Sequence, residues 1–195
     1  MSVKDKKRGR PRGSSSQLSS LVIITAAKAF MQEEGKIPSI RKLASTLQID
    51  AMAIYHYFSN KNALLEAITT SLITDIYQPK NTDERDYEGW QSELHNLCNS
   101  YLQLLNSYPG LLETLLSMES ESPAAVFIDR FEIVISPLQL TPRAAKKGLD
   151  LLVDYLHGFA LALNCNTSKT ALTMDMLAGP LELYCLGLTH SNELE

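Results

Sequence analysis

SIRKLASTLQIDAMAIYHYFSNKNALL, residues 39–65, decides the fold. Ser39 follows a proline and is placed to cap a helix through residue 47, because its hydroxyl can accept a free N–H of the first turn. Leu43 and Leu47, four apart, share one face of that helix, and Ala44 is small enough for a close crossing. Gln48, Ile49 and Asp50 make a turn, and Asp50 can cap a second helix over residues 51–58. Ile54 and Phe58 point inward from it. Ser59-Asn60 restarts the chain, with Asn60 as cap and Lys61 in the first turn of a helix reaching about residue 77. Two short helices split by a tight turn suit a helix-turn-helix reader. One of them must enter a major groove about 12 Å wide while its neighbours hold the phosphates.

Upstream, Ile23, Ala26, Ala27, Phe30 and Met31 recur at i, i+3, i+4, i+7 and i+8, which predicts a helix over residues 18–34. Gly35 suits the position just past its end. Residues 1–17 are polar and rich in Lys, Arg, Gly and Ser, the composition of a disordered basic arm. Charge is divided along the chain. Residues 1–65 hold 11 Lys+Arg against 4 Asp+Glu, and the remainder holds 7 against 18, so the net −4 splits into +7 and −11. A basic end on an acidic body predicts an anionic polymer bound at one end only.

Other classes are disfavoured. The arm followed by LSSLVIITAAKAF mimics a secretory leader, but Lys28 interrupts the apolar run and helical periodicity accounts for it. No run reaches the ~18 apolar residues of a membrane span. Cys98, Cys165 and Cys185 are odd in number and dispersed, which fits a reducing cytoplasm better than a disulfide framework. His95 and Cys98 share a helical face, yet no further ligands stand at metal-site spacing, so no metal is expected. GxSxG, HExxH, P-loop and dinucleotide motifs are missing, so neither an enzyme nor a cofactor is expected.

After the polar linker QPKNTDERDY (residues 78–87) every pattern is helical. Trp90, Leu94, Leu97, Tyr101, Leu104 and Tyr108 form one stripe, ended by Pro109-Gly110. Short helices follow at residues 111–118 and 123–135. Thr141-Pro142, a cap followed by proline, opens a long helix to about residue 163. A last helix spans residues 171–188, with a kink predicted at Gly179-Pro180. The chain is therefore read as all-α. A three-helix helix-turn-helix DNA-binding domain (residues 18–65) leads into a larger α-helical domain (residues 66–195).

The N-terminal segment resembles the DNA-binding domain of TetR-family transcriptional regulators. The resemblance rests on Ile23-Ile24, Ala26-Ala27, Phe30, Glu33 and Gly35 in the first helix, and on Ser39 and Leu43-Ala44 in the second. It continues through Ile54-Tyr55-His56-Tyr57-Phe58, Lys61 and Leu64-Leu65, and covers residues 19–68. Two positions depart from the family pattern. Gln48 stands where glycine is common, so the turn either differs or holds a non-glycine residue at positive φ. Ala51, Met52 and Ala53 open the reading helix without a polar side chain. Apolar groups cannot make bidentate bonds to bases but can pack on thymine methyls, which predicts a palindromic, A·T-rich operator with Arg41 as guanine reader. Tyr55, His56, Tyr57 and Lys61, with Ser39 and Arg41 from the other side, are expected on phosphates. Arg8-Gly9-Arg10-Pro11, with Arg12, matches the core of an AT-hook, whose arginines seek narrow minor grooves. A polybasic arm acting through counterion release is the other reading.

The resemblance implies that the C-terminal part binds a small-molecule effector and forms a homodimer. Leu149, Leu152, Val153, Leu156 and Leu163, with Gly158, form one candidate dimer stripe; Leu177, Leu181, Tyr184 and Leu188 form the other. Trp90, His95, Tyr101, Asp154, Tyr155 and His157 are the candidate ligand-binding residues, polar or aromatic groups near apolar surface. Three functions compete on sequence alone. They are a ligand-released repressor, an A·T-rich architectural DNA binder without an effector, and a small helical enzyme with an incidental basic tail.

Overall fold

The computed structural model describes residues 18–80, 89–165 and 172–194, so the basic arm with Arg8, Arg10 and Arg12 lies outside the described residues. Everything described is helix or connection. The chain forms α1 (Ser20–Glu34), α2 (Ile40–Leu47), α3 (Ala51–Tyr55) and α4 (Lys61–Thr74). Then come α5 (Trp90–Ser107), α6 (Leu111–Ser117), α7 (Ser122–Ile135), α8 (Pro142–Cys165) and α9 (Ala178–Thr189). The helix starts in the N-terminal domain are where the capping residues predict them. Ser19, Ser39, Asp50 and Asn60 each accept a backbone N–H of the following turn, from Val22, Lys42, Met52 and Ala63. Gly35 closes α1 at φ 65° and bonds back to the Met31 carbonyl.

Three boundaries differ from the sequence reading, each for a physical reason. The second helix of the pair, α3, stops at Tyr55 rather than residue 58, and His56-Tyr57 continue as a turn. Ile54 and Phe58 are buried all the same, because the Phe58 N–H still reaches the Ile54 carbonyl at 3.1 Å. Helix α4 ends at Thr74 instead of residue 77, since its last carbonyls are taken by a side chain of α7. Gly179-Pro180 starts α9 and does not kink it. Residues 174–177 form a separate 3₁₀ turn, and proline is tolerated in a first turn, where N–H groups have no helical acceptor.

One continuous core runs from Ile23 and Leu43 through Ile54, Ile68 and Leu72 into Trp90, Leu97, Phe131, Leu152 and Leu181. Helix α4 carries it across residue 65, packing on α1 at one end and most extensively on α7 at the other. The stripes read as dimer candidates lie largely inside the chain, with Leu152, Leu156, Leu177, Leu181 and Leu188 all buried. A different set faces outward from the same helices: Leu151 and Leu161 on α8, Leu183 and Leu186 on α9. Gly148, not Gly158, is the close-approach glycine. A Cβ there would meet Leu188 Cδ1 at 2.5 Å, whereas Gly158 faces open space.

Candidate nucleic-acid interface and internal cavity

The two readers' helices meet through Gln48, which sits in the left-handed region at φ 56°, ψ 41°. Its N–H bonds to Ala44 and Ser45 carbonyls, and the Ile49 N–H follows to Ala44 at 3.0 Å. The turn thus keeps the geometry that suits glycine and carries the strain of a side chain there. Because α3 has only five residues, one face is committed inward: Ile54 is buried, and Ala51, three residues before it, is half-buried on the core. Ala53 is half-buried as well. Met52, 63% exposed, and Tyr55, 42% exposed, stand outward with His56. Of the three apolar residues read as facing bases, Met52 is the one that projects.

Exposed polar groups stand on the neighbouring elements. Ser39 and Arg41 are exposed at the start of α2, and Lys61 opens α4 beside the Asn60 cap. Tyr57 is exposed, but its hydroxyl donates to the Leu18 carbonyl at 2.6 Å and so anchors the approach to α1. Lys42 is a further exposed cation that sequence reasoning passed over, its ammonium 5.6 Å from the Phe30 ring centroid. Its place one residue after Arg41, in the same first turn, was the available signal.

Three of the six candidate ligand-binding residues converge. Tyr101, Asp154 and His157 line a cavity of about 520 Å³, walled by Ile73 of α4, Leu115 and Leu116 of α6, Phe127 and Ile128 of α7, and Leu149 and Val153 of α8. Tyr101 Oη lies 2.9 Å from His157 Nε2, and its ring is 4.9 Å from that of Phe127. Burial raises the Tyr101 pKa, so the phenol keeps its proton. Burial lowers that of His157, against the smaller opposing pull of the Asp154 carboxylate. The pair is accordingly neutral near pH 7 and shares one hydrogen bond. The other three residues disperse. Trp90 is fully in the core, and His95 lines a separate polar groove with Asn99 and Asp175. Tyr155 lies on the outer α8–α9 face. Cys98 is buried in the core beside His95, whose groove it does not line.

The residue that sequence reasoning missed is Arg130. Only 6% exposed, its guanidinium donates to the carbonyls of Thr74 and Ile76 at 2.8 Å and of Ile73 at 3.3 Å. It therefore satisfies carbonyls left over at the end of α4 and sets a positive charge against the negative end of that helix. At the opposite end of the same packing, the Ser122 hydroxyl donates to Glu66 at 2.6 Å, which lowers the Glu66 pKa. Helices α4 and α7 are tied at both ends, and the cavity opens on both. An arginine in a largely apolar helix offers no local signal of a partner more than fifty residues away.

Residues 23–68 match the family model of bacterial regulatory proteins, tetR family. No curated protein matches the chain by sequence. Solved structures match over nearly its full length. The TetR family protein ActR of Streptomyces coelicolor, in complex with actinorhodin, is 17% identical with TM-score 0.76, over 90% of this chain and 97% of that one. BioQ with its natural double-stranded DNA operator is 18% identical with TM-score 0.69, over 89% and 99%. A point variant of TetR from Acinetobacter baumannii AYE, in complex with minocycline, is 21% identical with TM-score 0.61, over 90% and 96%. At these identities the likeness is one of fold. Among the described residues no helix is long and apolar enough to cross a membrane. The helix-turn-helix segment thus matches the model of bacterial regulatory proteins, tetR family, and the chain as a whole shares the fold of solved TetR family proteins.

Proposed function

We propose that this chain is a homodimeric, sequence-specific transcriptional repressor of the cytoplasm, released from its operator by a small molecule bound in the cavity of α4–α8. The observation that carries the reading is the shared helix. Lys61 and the Asn60 cap, at one end of α4, border the reading face, while Ile73, at the other, walls the cavity and lends its carbonyl to Arg130. A ligand that reseats α7 must act on α4 through that clamp and the Glu66–Ser122 bond. Differential binding to two such arrangements is what release requires.

The neighbours in complex with actinorhodin, with operator DNA and with minocycline support this division of labour. A dimer is supported by the outward leucines of α8 and α9, Leu183 being 72% exposed, which border an apolar groove of about 480 Å³. It also follows from the task, since two readers on half-sites roughly 34 Å apart supply the specificity one lacks. Met52 on thymine methyls, Arg41 on a guanine and the arm with Arg8, Arg10 and Arg12 in a minor groove give an A·T-rich site. Footprinting the purified protein across the DNA upstream of its own gene tests the reading. A protected palindrome, lost on adding a cavity ligand, is expected. Uniform coating of A·T-rich DNA that no small molecule reverses would favour an architectural protein instead.

A further inference from the structure

We propose that the cavity selects a lipophilic monocation, its apolar body against Phe127 and the aliphatic walls and its charge facing Asp154. The inference rests on the cavity being the effector site and names the chemical class of the effector. The lining is apolar apart from Tyr101, His157, Ser120 and two carboxylates, Asp150 and Asp154, and it includes no lysine or arginine. Asp150 is already paired with Lys146 at 2.6 Å. Asp154, one turn further along α8, makes no hydrogen bond or ion pair among the described residues and is left as an uncompensated negative charge at the mouth. The Tyr101–His157 pair deeper in is neutral and offers a hydrogen bond without charge.

An anion entering this space would shed water against apolar walls, meet no cation and approach a carboxylate. A monocation meets the reverse: attraction from Asp154 in a lining that includes the aromatic rings of Tyr101 and Phe127. Asp154 is exposed, so solvent and salt screen its field, and the preference it adds is several-fold, not orders of magnitude.

The test uses tetraphenylphosphonium and tetraphenylborate, nearly equal in size and shape and opposite in charge, titrated calorimetrically into the full-length protein in sodium buffer. Because apolar burial is matched, the ratio of the two affinities reads charge preference. The phosphonium is expected to bind roughly tenfold tighter, and Asp154→Asn to shrink that ratio roughly threefold with melting temperature unchanged. Added salt should narrow the ratio in wild type and leave it nearly constant in the variant. Val153→Phe and Ala124→Phe, which narrow the cavity from α8 and α7, should each weaken the phosphonium. Equal or tighter binding of the borate overturns the proposal. So does a ratio indifferent to Asp154→Asn, or phosphonium binding untouched by both phenylalanine variants. Failure of the effector reading looks different: the phosphonium would bind selectively yet leave the operator complex intact. A borate that released the operator would do the opposite, keeping the effector reading and sinking this one.

Discussion

The two ends of α4 are built by opposite means. At the DNA end, the caps and the turn are made by residues within a few positions of one another: Ser39 on Lys42, Asp50 on Met52, Asn60 on Ala63, and the Gln48 turn on Ala44, with the Tyr57–Leu18 bond tying them to α1. At the cavity end the defining contacts join residues more than fifty positions apart, Tyr101 to His157 and Arg130 to residues 73–76. Local construction makes a rigid, repeatable reading head. Long-range construction makes a site that exists only while several helices are docked, and such sites are the natural place for a ligand to shift a population.

The contrast can be broken most forcefully at Arg130. Replacing it with Met removes the guanidinium from three carbonyls at the end of α4, of which, among the described residues, Ile73 alone keeps a backbone donor, the Ile76 N–H, and a loss of about 2–4 kcal/mol is expected in denaturant titration. A loss under ~0.5 kcal/mol would mean the clamp is incidental. At the other end the order reverses. Lys61→Ala should leave the melting temperature alone, since the side chain is exposed and makes no ion pair among the described residues, but should weaken DNA several-fold. It should also lower the slope of log affinity against log salt by about one. Gln48→Gly relieves a left-handed residue and should stabilise the N-terminal domain by up to about 1 kcal/mol, with operator affinity kept. An unchanged or lower stability would show that the side chain has a partner worth more than the strain.

The smallest effect is on pH. Burial depresses the His157 pKa below its ordinary value, so the folded protein binds that proton less readily than the unfolded chain. Its contribution to stability is therefore complete above the ordinary histidine range and falls as pH drops through it, toward the folded pKa. His157→Gln should flatten that part of the stability–pH curve; an identical curve would assign the dependence to other groups.

These differences explain what could be read in advance. Caps, the Gly35 stop and the helix-turn-helix are local chemistry, so the sequence-based reading placed them to within a residue or two, α3's end apart. Among the outward residues, Met52 could be picked from Ala51 and Ala53 only once Ile54 showed which way a five-residue helix turns. Tyr101, Asp154 and His157 were legible as polar groups on apolar helices, but Trp90, His95 and Tyr155 match that description equally well. Helix rotation and packing separate the two sets, and periodicity within one helix does not encode which neighbour it meets. The same blindness read buried leucines of α8 and α9 as a dimer face and passed over the exposed Leu151 and Leu183 on the same helices.

The central claim is that the reading head and the cavity are one coupled system through α4 and α7. Coupling is reciprocal, so DNA must be felt at the cavity if a cavity ligand is to be felt at the DNA. Amide hydrogen exchange on the full-length protein, free and bound to its footprinted operator duplex, measures this without any ligand. The account predicts altered exchange in residues 120–131 and 149–157 as well as in residues 39–65. Change confined to residues 18–65, with the cavity helices exchanging identically in both states, would contradict it.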